Sequence, residues 1–206
     1  MTLSVITPKG SGYSMSKSRE KINQFLAEID ITGKTVLDVG VQNNPAKKYT
    51  KGIPKKYMTL DIDEEWKPDV VADINQMMSK EFKEETIKFD IVFCLEVLEH
   101  CWNPIQVIKN LFVWVKRGGV CYISVPFVNL IHDKWDMLRY TYQFFEKVLP
   151  MVGFKSVEIK RRIATVGLND YMNFNKKEGI RMSKVTQKMG LSKHIADIGY
   201  FVIAKK

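Results

Sequence analysis

The sequence predicts an α/β fold: a three-layer sandwich on a mostly parallel sheet of about seven strands, with an antiparallel last strand. Three observations predict it. Short runs of β-branched and aromatic residues alternate with stretches whose apolar residues recur at helical spacing. Several of those runs are apolar throughout, as strands buried on both faces must be. The last two runs, Phe154 to Ile159 and Tyr200 to Ala204, lack a regular crossover helix between them, which points to an antiparallel final strand.

The elements follow in order. Ser16 to Ile29 reads as a helix, because Ile22, Phe25, Leu26 and Ile29 fall at i, i+3, i+4 and i+7 and make one stripe. Thr35 to Val39 is a buried strand that stops at Gly40. Tyr57 to Leu60 is the next and ends in Asp61-Ile62-Asp63. Val70-Val71-Ala72 leads into Asp73-Ile74, and Phe89 to Leu95 is followed by Glu96. Asn103-Pro104 opens a helix with Pro at its first position. Lys116-Arg117-Gly118-Gly119 closes it, with cations in the last turn and Gly at the stop. Val120 to Val125 is a strand, and Thr141 caps a helix through Leu149. Residues 164–197 are polar and rich in Met and Lys, and read as an insertion with one or two short helices. Residues 1–15 read as a flexible arm, and residues 1–206 as one domain.

The net charge of +9 would attract a nucleic acid if it were concentrated. It is instead scattered in pairs such as Lys47-Lys48 and Lys176-Lys177, which favours a solvated surface over a nucleic-acid partner. Cys94, Cys101 and Cys121 show no CxxC spacing, so no metal site is expected; Cys94 and Cys121 sit in apolar runs, as buried thiols do in a reducing compartment. No apolar run approaches the ~20 residues that span a bilayer, and no signal peptide is evident, so the expectation is a cytoplasmic protein without membrane insertion.

In an open parallel sheet, ligands bind at the carboxyl ends of the strands. The residues there are Asp38 and Gly40, Asp61 and Ile62, Asp73 and Ile74, and Leu95, Glu96 and His100. Glycine lets a loop backbone approach a ligand closely. Asp38 can accept from a cationic amino group or from loop amides. Asp61 is placed to take both hydroxyls of a ribose. Asp73 can meet an adenine amino group while Ile74 packs on the ring.

The segments TVLDVG, MTLDID, VVADI, FDIVFCLEVLEH and VKRGGVCYISVP stand in the order and approximate spacing of the class I S-adenosylmethionine-dependent methyltransferases, from about Val36 to Gly153. The chain resembles that Rossmann-like family, in particular its small-molecule and sugar-pathway members with LEH after the fourth strand. The resemblance implies S-adenosyl-L-methionine as cofactor. Asp38 and Gly40 would face its methionine part, Asp61 the ribose, Ile62, Asp73 and Ile74 the adenine, and Leu95, Glu96 and His100 the floor near the methyl group. It also implies an acceptor wall from His132, Asp133, Trp135, Arg139 and Tyr140. His100 and His132 are the candidates for acid–base work, and Arg139 for binding a phosphate or carboxylate. The acceptor would be an oxygen or nitrogen of a small metabolite, such as a sugar or glycan precursor.

The sequence departs from the family at Gln42 and Asn44, where glycine is usual. Asn is the one suited to left-handed backbone. This departure keeps a non-catalytic cofactor-binding relative open as an alternative, and the charge keeps an RNA acceptor open as another.

Overall fold

The computed structural model describes residues 17–76, 88–129, 135–166 and 194–206. Its elements are α1 (Lys17–Leu26), β1 (Thr35–Val39), β2 (Lys56–Asp61), β3 (Val70–Val71), β4 (Phe89–Leu95), α2 (Pro104–Trp114), β5 (Val115–Pro126), α3 (Tyr142–Val152), β6 (Ser156–Val166) and β7 (His194–Lys205). The seven strands form one sheet in the order β3-β2-β1-β4-β5-β7-β6. β3, β2, β1, β4 and β5 pair in parallel, and β7 runs antiparallel to both of its neighbours. This is the architecture expected from the sequence. No helix among the described residues is long and apolar enough to cross a membrane.

Strand pleating sorts the core into two faces. Val36, Ile91, Phe93 and Phe201 turn toward α1, where Ile22, Phe25 and Leu26 cover them. Leu37, Val39, Val92, Cys94, Cys121, Ile123 and Val202 turn the other way, onto Ile108 and Leu111 of α2 and Phe145 and Leu149 of α3. All three cysteines are buried and free.

Helix ends follow local chemistry. Asn103 caps α2, its side chain accepting from the Gln106 N–H at 3.3 Å, with Pro104 next in the chain. Thr141 stands at the N-cap of α3 but makes no side-chain capping bond.

Three boundaries differ from expectation. Helix α1 stops at Leu26, yet Ile29 still packs in the core through the turn that follows. Helix α2 ends at Trp114, so the Lys116–Gly119 stretch belongs to β5 as an irregularity between the Phe89↔Val115 and Ile91↔Val120 pairs. The cause is Asp90: it accepts from the Thr35 N–H at 2.7 Å and holds Lys116 Nζ at 3.1 Å, which stitches β1, β4 and β5 together. Finally, β6 continues through Val166 and β7 starts at His194, so the ends of the 164–197 stretch form an antiparallel ladder (Ala164↔Ala196, Val166↔His194). Its remainder, 167–193, and the arm 1–15 lie outside the described residues.

Candidate active site

Two connected hollows open at the carboxyl ends of β1, β2 and β4. The smaller, about 220 Å³, is lined by Arg19, Asp38, Gly40, Gln42, Asn44, Leu95, Glu96 and His100 among others. The larger, about 690 Å³, is lined by Asp61, Ile62, Trp66, Asp73, Trp102, Trp135 and Met137, and shares Gly40, Gln42, Glu96 and His100 with the first. A side pocket of about 110 Å³ adds Leu60, Ala72, Ile74 and Cys101.

Asp38 ends inside the smaller hollow because alternate residues of β1 face opposite sides of the sheet. It accepts from the Ala46 N–H at 2.7 Å and from the Tyr57 hydroxyl. Burial outweighs these bonds and the charge of Lys47, and pushes its carboxyl up to about 6. Arg19 of α1 stands on the same hollow, a cation that the reading of strand ends did not reach.

The loop after β1 turns sharply. Gly40 has φ +70°, and its N–H donates to the Leu60 carbonyl at 2.7 Å. A Cβ there would overlap a methyl group of Val97, so glycine is required for packing. The second left-handed residue is Gln42, at φ +45°, and Asn44 does not share it. The sequence-based preference for Asn44 in that role is therefore corrected. Gln42 is held there because its N–H donates to Asp61 Oδ2 at 3.0 Å. Asn44 instead accepts from the Tyr49 hydroxyl at 3.1 Å.

Asp61 is buried at the end of β2, and its other oxygen accepts from the Asp63 N–H at 3.1 Å. Asp73 folds its own loop, accepting from the backbone and side-chain N–H groups of Asn75 at 2.9 Å each. Ile62 is exposed on the cleft, whereas Ile74 is largely core and shows only an edge to the side pocket.

Glu96 follows β4 in a left-handed conformation, φ +54°. Its carboxylate accepts from the Ser124 hydroxyl at 2.8 Å and from both terminal nitrogens of Arg162 at 3.0 and 3.2 Å. His100 closes the short 3-10 turn Leu98–His100 and borders all three hollows. Its Nδ1 lies 3.2 Å from the Trp135 carbonyl, a contact that suits an Nδ1–H donor, and its Nε2 lies 3.8 Å from Glu99 Oε1. Glu99 beneath it is fully buried, with neither carboxyl oxygen hydrogen-bonded among the described residues. Burial first, then the charge of Glu96, pushes its carboxyl up to about 9.

The expected acceptor wall is only partly realised. Trp135 lies exposed on the larger cleft. Arg139 and Tyr140 border none of the three hollows among the described residues. Arg139 forms a two-pronged pair with buried Asp136 (2.7 Å on one side) and donates to the Leu138 carbonyl at 2.8 Å. Tyr140 is buried and donates to the Leu98 carbonyl at 2.8 Å. Tyr140 anchors the segment after β5 onto the turn that carries His100, and Arg139 braces that segment against itself. His132 and Asp133 lie outside the described residues.

Residues 14–171 match the family described as "Methyltransferase domain". A ubiquinone biosynthesis O-methyltransferase of Pseudomonas fluorescens is 31% identical over 116 residues, which are 50% of this chain and 49% of that protein. A tRNA U34 carboxymethyltransferase of a Sulfurovum species is 30% identical over 115 residues, 50% of this chain and 38% of that one. The chain thus spans about half or less of the length of these relatives. A SAM-dependent methyltransferase from Archaeoglobus fulgidus shares the fold with a TM-score of 0.59, at 16% identity, over 93% of this chain and 95% of its own. The carboxylates at successive strand ends stand on the fold of these enzymes, and the chain belongs to the S-adenosylmethionine-dependent methyltransferase-domain family.

Proposed function

We propose that this chain is an active methyltransferase that uses S-adenosylmethionine to methylate an oxygen or nitrogen of a small-molecule acceptor. One observation carries the reading: Asp38, Asp61, Asp73, Glu96 and His100, from four strand ends, all border one connected pair of hollows.

The residues fit the cofactor. An amino-acid end carries both charges, and the smaller hollow offers Arg19 for a carboxylate and Asp38 for an ammonium. Asp61 is placed for ribose hydroxyls, and Asp73, Ile62 and Ile74 flank a place for adenine. Gln42 and Asn44 do not close the loop: Gln42 makes the left-handed turn and the smaller hollow persists beside it. That supports the catalytic reading over the non-catalytic relative.

The bound cofactor supplies an activated methyl group, so the protein's work is alignment and proton removal. Glu96 and His100 border both hollows at their junction. His100, with Nδ1 tied to the Trp135 carbonyl, presents Nε2 to take a proton from the acceptor. Trp102, Trp135 and Met137 are exposed on the larger cleft and suit an acceptor with a flat, partly apolar body. That chemistry replaces the sugar or glycan precursor as the favoured acceptor. The buried free thiols support a reducing, cytoplasmic setting.

A second reading, an RNA acceptor, draws on the +9 charge and the tRNA-modifying relative. Retention of RNA that falls steeply with salt would favour it.

Calorimetric titration with S-adenosylmethionine and S-adenosylhomocysteine tests the proposal. Micromolar binding that Asp61→Ala abolishes is the expected result, followed by release of S-adenosylhomocysteine with phenolic acceptors. Wild-type protein that binds neither ligand would overturn it.

A further inference from the structure

The sheet contains a buried ion pair that joins its far edge to the candidate site. Arg162 of β6 is 1% exposed. Its two terminal nitrogens meet the two Glu96 oxygens at 3.0 and 3.2 Å, and one also donates to the Val125 carbonyl at 3.0 Å. The guanidinium lies over the Phe201 ring, 5.5 Å from its centroid. Gly199, opposite Arg162 in the β6–β7 ladder, gives it room: a Cβ at 199 would collide with the guanidinium. Ser124 of β5 adds its hydroxyl to the same carboxylate at 2.8 Å.

A fully buried guanidinium, a carboxylate only partly open to the hollows and a spared Cβ are a costly arrangement for stability alone. Its geometry makes sense at the site. Glu96 borders both hollows, where the amino-acid half of the cofactor would join its nucleoside half. In S-adenosylmethionine that joint is a positive sulfonium; in the product it is a neutral thioether.

We propose that Arg162 is a positioning residue that fixes Glu96 as an anion at this joint, so that the site holds the sulfonium form more tightly than the spent thioether. The inference rests on the cofactor reading above. A two-pronged guanidinium leaves the carboxylate one orientation, and the desolvated surroundings strengthen its field. The charged and titratable groups around Glu96 are Arg162 from β6, Glu99 and His100 from its own turn, Arg139 from the segment after β5, and Asp38 and Arg19 across the smaller hollow.

The test is calorimetric titration of wild type, Arg162→Met, Arg162→Lys, Glu96→Gln and the Arg162→Met/Glu96→Gln double variant with both ligands. Arg162→Met is expected to lose about tenfold in affinity for S-adenosylmethionine near neutral pH, and about threefold or less for S-adenosylhomocysteine. In the Glu96→Gln background, loss of Arg162 no longer lowers the affinity for S-adenosylmethionine relative to S-adenosylhomocysteine. A role confined to folding would persist there and would be blind to the ligand's charge. Should Arg162→Met not fold, Arg162→Lys keeps a cation without the fork and is expected to lose part of the discrimination. Wild-type binding with an unchanged affinity ratio in the folded Arg162 variants overturns the clamp alone; wild-type protein that binds neither ligand overturns the cofactor reading and the clamp together.

Discussion

Gln42 donates its backbone N–H to the Asp61 carboxylate at 3.0 Å, so the loop after β1 is pinned to the end of β2. The carboxylate proposed to hold a ribose also shapes the turn beside it. This bond holds a glutamine in a left-handed conformation that costs about 1 kcal/mol. Gln42→Gly keeps the N–H and removes the cost, while adding freedom to the unfolded chain. Stability in urea is therefore expected to change by less than about 1 kcal/mol. A much larger loss would show that the glutamine side chain supports the loop.

Gly40 allows less latitude. Its φ of +70° and the overlap of any Cβ with Val97 act together. Gly40→Ala should cost about 1–3 kcal/mol in denaturant unfolding. Adding Val97→Ala removes the colliding methyl and should recover part of that loss. Failure of the second change to help would place the whole penalty in the backbone.

Asp38 should give binding and stability opposite pH trends. Burial holds its carboxyl at about 6, above the ordinary 3.8. Between those values the folded state keeps a proton that the unfolded chain has released, so Asp38's contribution to stability falls as pH rises from about 4 to about 6. Affinity for S-adenosylmethionine should rise through the same window, by up to tenfold per pH unit, as the ionised carboxylate becomes available. In Asp38→Asn both slopes attributable to this group should vanish. Titration calorimetry and thermal melts at matched pH would settle the point.

Glu99 carries a larger version of the stability effect. Its ordinary value is 4.5, and burial with the charge of Glu96 lifts it to about 9. The folded state therefore holds the proton across that span, and stability should fall as pH rises through it. Glu99→Gln mimics the protonated acid and should fold well at neutral pH with a flatter dependence of melting temperature on pH. The bonds from the Met137 and Leu138 N–H groups go to the Glu99 carbonyl, so the substitution leaves them in place. Collapse of the Gln variant would mean that the carboxylate is ionised and paired.

The residues legible in the sequence were those with a local signal. Asp38, Asp61, Asp73 and Glu96 each follow closely on an apolar run, and strand ends are where an open sheet binds ligands. Arg162 had no such mark. It sits in the run Lys160-Arg161-Arg162, and only the register of β6 against β7, with its irregularity after Arg162, decides which of the three turns inward. Arg19 escaped for a related reason: it lies beside the apolar stripe of α1, and what it faces depends on the docking of that helix. The pairing of Arg139 with Asp136, three residues earlier, had no mark in the sequence either. The end of α2 was misplaced because basic residues followed by glycine mark a helix stop, yet Asp90 recruits Lys116 into β5.

The position of β7 has a consequence for how the protein is made. β6 is an edge strand whose one sheet neighbour is β7, and β7 comes later in the chain. While the nascent chain emerges, β5 and β6 stand with exposed backbone edges until Gly199 and Phe201 have left the ribosome. Unpaired edges of that kind invite intermolecular pairing. The same delay applies to the far side of the active centre. Arg162 reaches its seat beside Glu96 only when β7 slides between its two neighbours, so this side of the site waits for a strand that follows both of them in the chain.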